Sequence, residues 1–535
     1  MKNNIIKIFL VLSIYIFISL FLLVSFVYPL VSVIINVEWS GFASLIKQDL
    51  FKQSLVNSVI VSGISTILSV FIAYLLAYAI NRTKIKFKKL LTIIFTLPML
   101  IPSISHGLGL INLFGNNGIL TKMLGIDFNI LGFNGIVLGS ILYSFPVAFL
   151  ILSDAFKYID NSIYECAEVL GLNKWQIFKT VTFYYMKKSL LSSIFAVFTM
   201  VFTDYGVPIA VGGRYSTLSV YLYREVIGLL DFSKGAIIGT ILLIPAVVSF
   251  IFDLFNKEVH NESSYNKIFK IKDNKIRDIL FSLFVFLIVL FLILLFGSFI
   301  YLAFIENFPY DMNFSFIHFK YIFDNNVFKF ISNSLLISVI AAILGTIFAY
   351  FTAYITARVK GKFSSFLHIF SLCSLAIPGI VLGLSYIFAF NDTIFYNTFI
   401  ILIFVNIVHF FASPYLMAYN ALGKLNQNFE VVGLTHGINR FRIILDVIIP
   451  NSKETILEMI SYFFVNSMIT ISAVSFLFNT RTMPVSMLIN QYEGQLMYEE
   501  SAIISVLILI INLIFKSVVG IIKNKINRRN YATNN

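Results

Sequence analysis

Long apolar runs recur along this chain and restrict its fold more than any other feature. Crossing the hydrocarbon layer of a bilayer takes roughly 20 mostly apolar residues in a helix, because every backbone polar group must be satisfied within the segment. Twelve such runs occur, centred near Leu22, Leu68, Met99, Ser144, Phe198, Leu243, Leu290, Leu344, Leu375, Val408, Phe464 and Ile508. The pattern predicts an all-α polytopic membrane protein with 12 transmembrane helices.

The composition indicates a chain that is solvated mainly by lipid. Hydrophobic residues make up 59% of the 535 residues and charged residues 12%, whereas an ordinary soluble domain has roughly 25% charged residues. The formal charge of +13 is interpreted as anchoring to anionic lipid rather than as a nucleic-acid site. The N-terminal segment resembles a signal sequence, but its apolar run continues to about Ile35, which predicts a retained first span.

The distribution of lysine and arginine predicts the orientation of the chain, because cytoplasmic loops carry an excess of both. With twelve spans, the loops on one side are rich in cations, as at 82–89, 257–277 and 358–362. Loops on the other side are poor in them, as at 305–324. This bias predicts that both termini lie in the cytoplasm.

Short motifs recur at a fixed distance, which indicates an internal duplication. Asn57-Ser58 matches Asn333-Ser334 at a shift of 276, and the same shift relates Pro102 to Pro378. Each copy then holds six spans, so the copies enter the membrane in the same direction as two parallel six-helix repeats. The sequence therefore predicts a first half at 1–256, a cytoplasmic linker at 257–277, a second half at 278–535, and a pathway between the halves.

A cytoplasmic loop near 160–188 has helical periodicity on both sides of a glycine. Glu165 and Ala167 precede Gly171, and Trp175 follows it among residues of amphipathic spacing. Gly171 suits a turn, and the segment after it predicts a short amphipathic helix lying against a protein partner. An ordinary helix at the membrane interface is the alternative.

A second loop near 426–454 repeats this arrangement around Gly437, with Phe441 in the place of Trp175 and Pro450 near its end. The shift that relates Gly171 to Gly437 is smaller than the shift that relates the earlier motifs. The first half therefore has additional residues ahead of its loop, which we assign to the connection at 115–132. A duplicated loop at the same topological position favours docking to a partner.

At these residues the chain resembles the permease family of binding-protein-dependent ABC importers. The motif of that family is Glu-Ala-Ala, three residues, Gly, nine residues, an aliphatic residue, one residue and Leu-Pro. The first loop matches through Glu165-Cys166-Ala167 and Gly171 but lacks the final Leu-Pro. The second keeps Gly437 and Pro450 but lacks Glu-Ala-Ala, although Glu430 lies one residue before that position.

The resemblance implies a multi-pass protein of the bacterial plasma (inner) membrane that works with a dimer of separate ATPase subunits and an extracytoplasmic substrate-binding protein. It implies that each loop docks a coupling helix on the ATPase. ATP and Mg then belong to that partner, and this chain needs no cofactor. The coupling residues carried over by position are Glu165, Ala167, Gly171, Trp175, Gly437, Phe441 and Pro450.

Asp204, Tyr205 and Ser475 are the candidates for a substrate pathway. A carboxylate in or near the membrane usually faces a cavity, although Asp204 also suits a helix-end cap or a partner of Arg214 or Arg224. The surrounding segments resemble fused permeases assigned to 2-aminoethylphosphonate uptake, which makes that compound the expected substrate. Fused permeases for ferric iron, thiamine and polyamines share the layout and are the alternatives.

Two other classes of protein fit the sequence less well. A secondary transporter can also have twelve spans as two parallel repeats, but it does not need the glycine-centred loops. An enzyme is disfavoured because no nucleophile and base, metal-ligand cluster or phosphate-binding loop is visible in the sequence. No metal site is expected within the chain, and ATP hydrolysis is assigned to a partner.

Overall fold

The computed structural model describes residues 16, 18–125, 128–255, 269–359, 361–426 and 428–533. Within them, eight helices are long and apolar enough to cross a membrane, or up to eleven if each of three bent pairs is one span. The helical fold class is therefore confirmed, but the predicted number of twelve is not reached. The helix around the predicted centre at Phe464, Lys453–Ile469, has 17 residues and falls just below the length of the others.

The helical segments follow one another through both halves with short connections. In the first half they are Leu23–Val27, Tyr28–Ile35, Trp39–Gly41, Phe42–Lys47, Asp49–Arg82, Lys88–Thr96, Leu97–Leu100, Ser103–Phe114, Ile119–Leu124, Phe133–Tyr158, Asn161–Val169, Lys174–Ile177, Phe178–Phe183, Tyr184–Phe202, Gly206–Val211, Leu218–Tyr223, Arg224–Gly228 and Phe232–Phe255. In the second half they are Lys275–Ala303, Ile317–Asp324, Val327–Arg358, Lys362–Leu372, Cys373–Ala376, Gly379–Phe390, Phe399–His409, Ala412–Lys424, Asn428–Thr435, Arg440–Ile443, Ile444–Ile448, Ile449–Asn451, Lys453–Ile469, Val485–Gly494 and Tyr498–Thr533. A two-stranded antiparallel sheet, Ile305–Asn307 with Asp311–Phe314, interrupts the second half.

The third span of each half is bent at a proline. The segments Lys88–Leu100 and Ser103–Leu124 meet at 102°, and Phe363–Leu375 and Gly379–Phe390 meet at 110°. Pro102 and Pro378 stand immediately before the second segment of each pair, at equivalent positions of the repeat. Proline disfavours a helical conformation in the residue before it, so each apolar run ends there and starts again in a new direction.

The repeated Asn-Ser motif makes the same contacts in both halves. The backbone N–H of Leu218 donates to Ser58 Oγ, and that of Val485 donates to Ser334 Oγ, each at 2.7 Å. The side-chain amides of Asn57 and Asn333 donate to nearby backbone carbonyls on the same segments. The motif found by sequence therefore fixes the start of the helix Leu218–Tyr223 in the first half and of the helix Val485–Gly494 in the second.

The first span of each half packs against the other half. Phe21 stacks on Phe348 with ring centroids 3.9 Å apart, and the hydroxyl of Tyr386 donates to the carbonyl of Ser25 at 2.6 Å. The first span of the second half packs in the same way against the first half. Its Leu295 lies so close to Gly109 that a Cβ added to this glycine would be 2.6 Å from the Leu295 side chain. The two halves are therefore interlocked through their first spans.

The connection that follows the bent third span differs between the halves as predicted. It lies between Phe114 and Phe133 in the first half and between Phe390 and Phe399 in the second, so the first is clearly the longer. The linker prediction at 257–277 falls partly outside the described residues, which resume at 269. The helix of the next span begins at Lys275, shortly before the predicted end of the linker.

Candidate functional site

The first of the two predicted coupling loops turns at Gly171, after the short helix Asn161–Val169. Gly171 has φ +74°, and its N–H donates to the carbonyl of Glu168 at 2.9 Å, while the N–H of Leu172 donates to that of Ala167 at 3.1 Å. This pair of bonds is the Schellman ending of a helix, which requires a left-handed residue. The predicted turn at Gly171 is confirmed.

The second coupling loop turns in the same way at Gly437, after the helix Asn428–Thr435. Gly437 has φ +73°, and the N–H of Ile438 donates to the carbonyl of Gly433 at 2.9 Å. A Cβ at either glycine would meet nothing within 4 Å. Glycine is needed at both turns for its backbone conformation, which costs an L-residue about 1–2 kcal/mol, and not for space.

In the first loop the helix that follows the glycine is not short as predicted, because it runs into the next span. Helix begins at Lys174 and continues through the π-helical segment Phe178–Phe183 into Tyr184–Phe202 without a break. No glycine or proline interrupts that stretch, so nothing ends the helix. In the second loop the helix from Arg440 runs to Asn451, with Pro450 in the first turn of its last segment, and resumes at Lys453.

The aromatic residues expected to dock are on the surface. Trp175 is 70% exposed and stacks on Phe178 with ring centroids 5.6 Å apart. Phe441, the equivalent residue, is 42% exposed. Large apolar side chains at the tips of two symmetric loops are suited to pockets on a partner protein.

Glu165 and Ala167, at the start of the first motif, both make contacts within their own loop. Glu165 is exposed, and its Oε1 accepts from the side-chain amide of Asn161 at 2.7 Å. Ala167 is buried, at 4% exposed, where a larger side chain would displace the helix. Both residues therefore shape the loop in addition to the contacts that the sequence resemblance implies.

The two loops start their second helices differently. In the first loop, Asn173 and Gln176 form a capping box, in which each side chain accepts from the backbone N–H of the other at 2.9 Å. Asn439, at the same position in the second loop, makes no side-chain cap. A capping box satisfies two helix-end N–H groups, so the first loop has the better-fixed helix start.

A buried arginine supports each loop at the end of the second span. In the second half, Arg358 donates to both carboxylate oxygens of Glu430 and to the carbonyls of Leu425 and Asn426. The Arg358 side chain is only 2% exposed. Glu430 therefore holds its own loop in place, and it is not a free substitute for the glutamate that the second motif lacks.

Arg82 occupies the equivalent position in the first half, but its surroundings are aromatic. Its guanidinium donates to the carbonyl of Phe156 at 2.9 Å and lies 3.8 Å from the ring centroid of Phe269 and 5.7 Å from that of Tyr164. Phe269 belongs to the linker between the halves. The first loop is thus supported by cation–π contacts where the second uses an ion pair.

The linker also binds the first loop directly. The N–H of Lys270 donates to Asn161 Oδ1 at 3.1 Å, and Lys272 Nζ donates to the two carboxylate oxygens of Glu168 at 2.5 and 2.6 Å. The described part of the linker therefore lies along the helix Asn161–Val169 and joins it to the first span of the second half.

Asp204 is a helix cap in this structure. It is 8% exposed, and its carboxylate accepts from the N–H groups of Gly206 and Val207 at 3.3 and 2.9 Å. Of the two readings that the sequence left open, the geometry matches the capping one. Ser475 is buried as well and donates to the carbonyl of Ser472 at 2.9 Å. Neither contact bears on a role in a pathway, which stays a prediction.

At the helix break beside Asp204, Gly206 packs closely against Ser103. A Cβ at Gly206 would overlap Ser103 Oγ. In the second half the order is reversed, because a Cβ at Gly379 would overlap Ser472 Oγ. The two halves thus fill the same space with opposite choices of glycine and serine.

Tyr205 lies where the two halves meet. It is fully buried, its ring centroid is 4.5 Å from that of Tyr223, and Tyr223 lies 5.8 Å from Phe476 of the second half. The side-chain amide of Asn490, also in the second half, donates to the Tyr205 hydroxyl at 3.4 Å. The sequence prediction included Tyr205 but missed Asn490, whose segment carries no repeated motif.

Comparison with known proteins agrees with this geometry. A family model described as a binding-protein-dependent transport system inner membrane component matches residues 75–261 and 345–528. The chain is 28% identical to the ferric transport system permease protein FbpB of Actinobacillus pleuropneumoniae, over 87% of this chain and 71% of the relative. It is 26% identical to the putative ferric transport system permease protein FbpB 1 of Haemophilus influenzae, over 85% and 76%.

Among solved structures, a bacterial alginate ABC transporter in complex with alginate pentasaccharide-bound periplasmic protein matches with 16% identity and a TM-score of 0.38, covering 50% of this chain and 99% of that one. The two family matches together span well over half of the chain, and each includes one glycine-centred loop. The chain therefore belongs to the family of binding-protein-dependent transport system inner membrane components, and it carries the family domain twice.

Proposed function

We propose that this chain is the transmembrane permease subunit of an ABC importer, which passes its substrate between the two halves by alternating access. A dimer of separate ATPase subunits docks on the loops around Gly171 and Gly437, and an extracytoplasmic binding protein delivers the substrate. ATP and Mg bind to the ATPase. The single observation that carries this proposal is the pair of left-handed glycine turns, each followed by an exposed aromatic residue.

We place twelve spans in the membrane, as two parallel repeats of six. The helix Lys453–Ile469 counts as the eleventh, because its equivalent in the first half is the membrane-capable helix Lys174–Phe202. Both termini and both coupling loops then lie in the cytoplasm, as the distribution of cationic residues predicts. Exposed Trp175 and Phe441 enter the two ATPase subunits.

Two cargoes are supported by separate observations. The sequence around Asp204 and Tyr205 resembles permeases assigned to 2-aminoethylphosphonate, which favours that compound. Ferric iron is favoured by the two ferric permeases that the chain matches over more than four fifths of its length. Thiamine and polyamines complete the set to be tested.

Reconstitution tests this function. The chain is placed in proteoliposomes with its candidate ATPase and binding protein, and uptake is measured for each of the four cargoes with and without ATP. We expect uptake that needs ATP and the binding protein, and hydrolysis that the loaded binding protein stimulates. Uptake by the chain alone, driven by an ion gradient, would instead identify a secondary transporter.

The Trp175→Ala and Phe441→Ala variants measure the contribution of each loop to ATPase binding. An aromatic anchor at the centre of a protein interface contributes about 2 kcal/mol or more. Each variant should therefore weaken ATPase association by more than tenfold. Tyr310→Ala is the control, because Tyr310 is also an exposed aromatic residue, at 86%, but lies outside both loops.

A further inference from the structure

A group of side chains from both halves meets at the end of the bundle opposite the coupling loops. We call it the junction cluster, and it consists of Tyr205, Tyr223, Phe476 and Asn490, which contact one another, together with Glu493, which stands one helical turn after Asn490. The first two belong to the first half and the others to the second. Because they lie across the surface between the halves, any alternating movement of the halves changes their spacing.

Glu493 is the charged member of this cluster. It stands one helical turn after Asn490 on the helix Val485–Gly494, so both side chains lie on the same face. Its charge acts on the hydroxyls of Tyr205 and Tyr498. Burial raises the pKa of Glu493 to about 8, since the charged form loses hydration there.

Glu493 has no partner among the described residues, although neighbouring carboxylates do. Glu225 and Asp231 pair with Lys234, at 3.4 and 3.0 Å. Glu499 accepts from the N–H of Phe308 at 2.6 Å, and Glu500 pairs with His318 at 2.8 Å. An acidic group that is partly withdrawn from water and left unpaired is costly, and such groups commonly serve a ligand.

The chemistry around Glu493 favours a positive ligand. The faces of Tyr205, Tyr223 and Phe476 attract cations, and the oxygens of Asn490 and Tyr205 are ligands or acceptors for them. An anion would meet the Glu493 carboxylate instead. Arg214, Arg224 and Arg481, which could pair with an anionic phosphonate group, are all exposed and lie outside the cluster.

We propose that the junction cluster binds the positively charged part of the cargo as it passes between the halves, with Glu493 as the counter-charge. The bound group is an organic ammonium or a metal cation. This inference rests on the proposed transport function and assigns a binding site to the positive charge that the proposed cargoes share. Each cargo under test carries positive charge, including the ammonium end of 2-aminoethylphosphonate, whereas ethylphosphonate carries none.

Direct binding to the purified full chain in detergent tests the site without the partner proteins. Terbium(III) is the probe, because nearby tyrosines sensitise its luminescence and it resembles other hard trivalent cations. We expect saturable emission from the unaltered chain and a loss of affinity of about tenfold or more in Glu493→Gln. Glu306→Gln, which alters an exposed carboxylate, is the control and should bind as the unaltered chain does.

Competition distinguishes the two sources of positive charge. Displacement of terbium by spermidine or 2-aminoethylphosphonate indicates an ammonium site, and displacement by gallium(III) alone indicates a metal site. Equal affinity in Glu493→Gln and the unaltered chain overturns the proposal, as does equally effective displacement by ethylphosphonate. Matching thermal unfolding of the two chains verifies that the variant is folded.

Uptake in the reconstituted complex provides the second measurement. Glu493→Gln should reduce uptake of the transported cation at least about tenfold at low concentration, whereas Glu306→Gln should leave uptake as in the unaltered chain. Unchanged uptake overturns the proposal. If the unaltered chain shows no ATP-dependent uptake at all, the proposed transport function fails, and the terbium result still decides whether the cation site exists.

Discussion

Removal of the Arg358 guanidinium should release the second coupling loop. In Arg358→Met the apolar stem is kept, but the Glu430 carboxylate, only 16% exposed, loses its partner. The carbonyls of Leu425 and Asn426 lose their donor as well. Breaking a buried pair in this way costs about 3–5 kcal/mol, and the partial exposure of Glu430 favours the lower end of that range.

A cost of about 3 kcal/mol corresponds to an increase of about a hundredfold in the population of the opened loop. Hydrogen exchange of the chain in lipid nanodiscs measures this population at the amides of the helix Asn428–Thr435. We expect those amides to exchange about a hundred times faster in Arg358→Met, while the amides of the helix Asn161–Val169 are unaffected.

Arg442→Met is the matched control on the same loop. Arg442 pairs with Asp446 at 3.1 Å, but the two side chains are 77% and 62% exposed. Such an exposed pair contributes only about 0.3–0.5 kcal/mol, so exchange should rise about twofold. Equal effects of the two substitutions would refute the argument from burial. Exchange in Arg358→Met with Glu430→Gln should be slower than in Arg358→Met alone, because the unpaired charge is gone.

Three further predictions concern other parts of the chain. Gly171→Val should cost about 1–2 kcal/mol at the first loop because of its positive φ, and it should lower the substrate transported per ATP hydrolysed. Gly206→Ser should lower the melting temperature, at a cost of about 1–3 kcal/mol, because a Cβ there overlaps Ser103 Oγ and lies 2.7 Å from the backbone nitrogen of Ile104. Adding Ser103→Gly should recover only the part of this cost that is due to the Ser103 side chain, and no recovery would contradict the packing. The Glu500 carboxylate raises the pKa of His318, so their pair stabilises the protein fully below the ordinary histidine pKa of about 6.5 and less as pH rises through the raised value. The difference in melting temperature between the unaltered chain and His318→Gln should therefore shrink with rising pH, and a constant difference would exclude this linkage.

Most of the spans and both glycine turns were predictable from sequence, because each depends on local chemistry. Continuous apolar runs define membrane helices whatever their neighbours are, and a left-handed turn requires a residue such as Gly171 or Gly437. The repeat was also visible in the sequence as the matching pairs Asn57-Ser58 and Asn333-Ser334. Both pairs are retained because they make the same contacts in the two halves. The bends at Pro102 and Pro378 were less accessible, because proline allows a break without fixing its angle.

The parts that sequence could not predict depend on long-range partners. Arg82 and Arg358 resemble other basic residues at the ends of spans, and only the fold places one beside Phe269 and the other beside Glu430. Because Arg82 and Arg358 occupy equivalent positions in the repeat, the sequence did indicate that both have a structural role. Asp204 was ambiguous for the same reason, since a carboxylate that caps a helix and one that faces a cavity have the same sequence surroundings.

The exchange of first spans has a consequence for how the protein is made. The surface around Gly109 is covered by Leu295, which the ribosome synthesises much later. Phe21 is made early, but its stacking partner Phe348 is made only with the second half. A first half synthesised alone would leave small-residue surfaces open to lipid or to other chains. Assembly of this transporter is therefore completed only when the second half enters the membrane, and a truncated product is expected to be a substrate for membrane proteases.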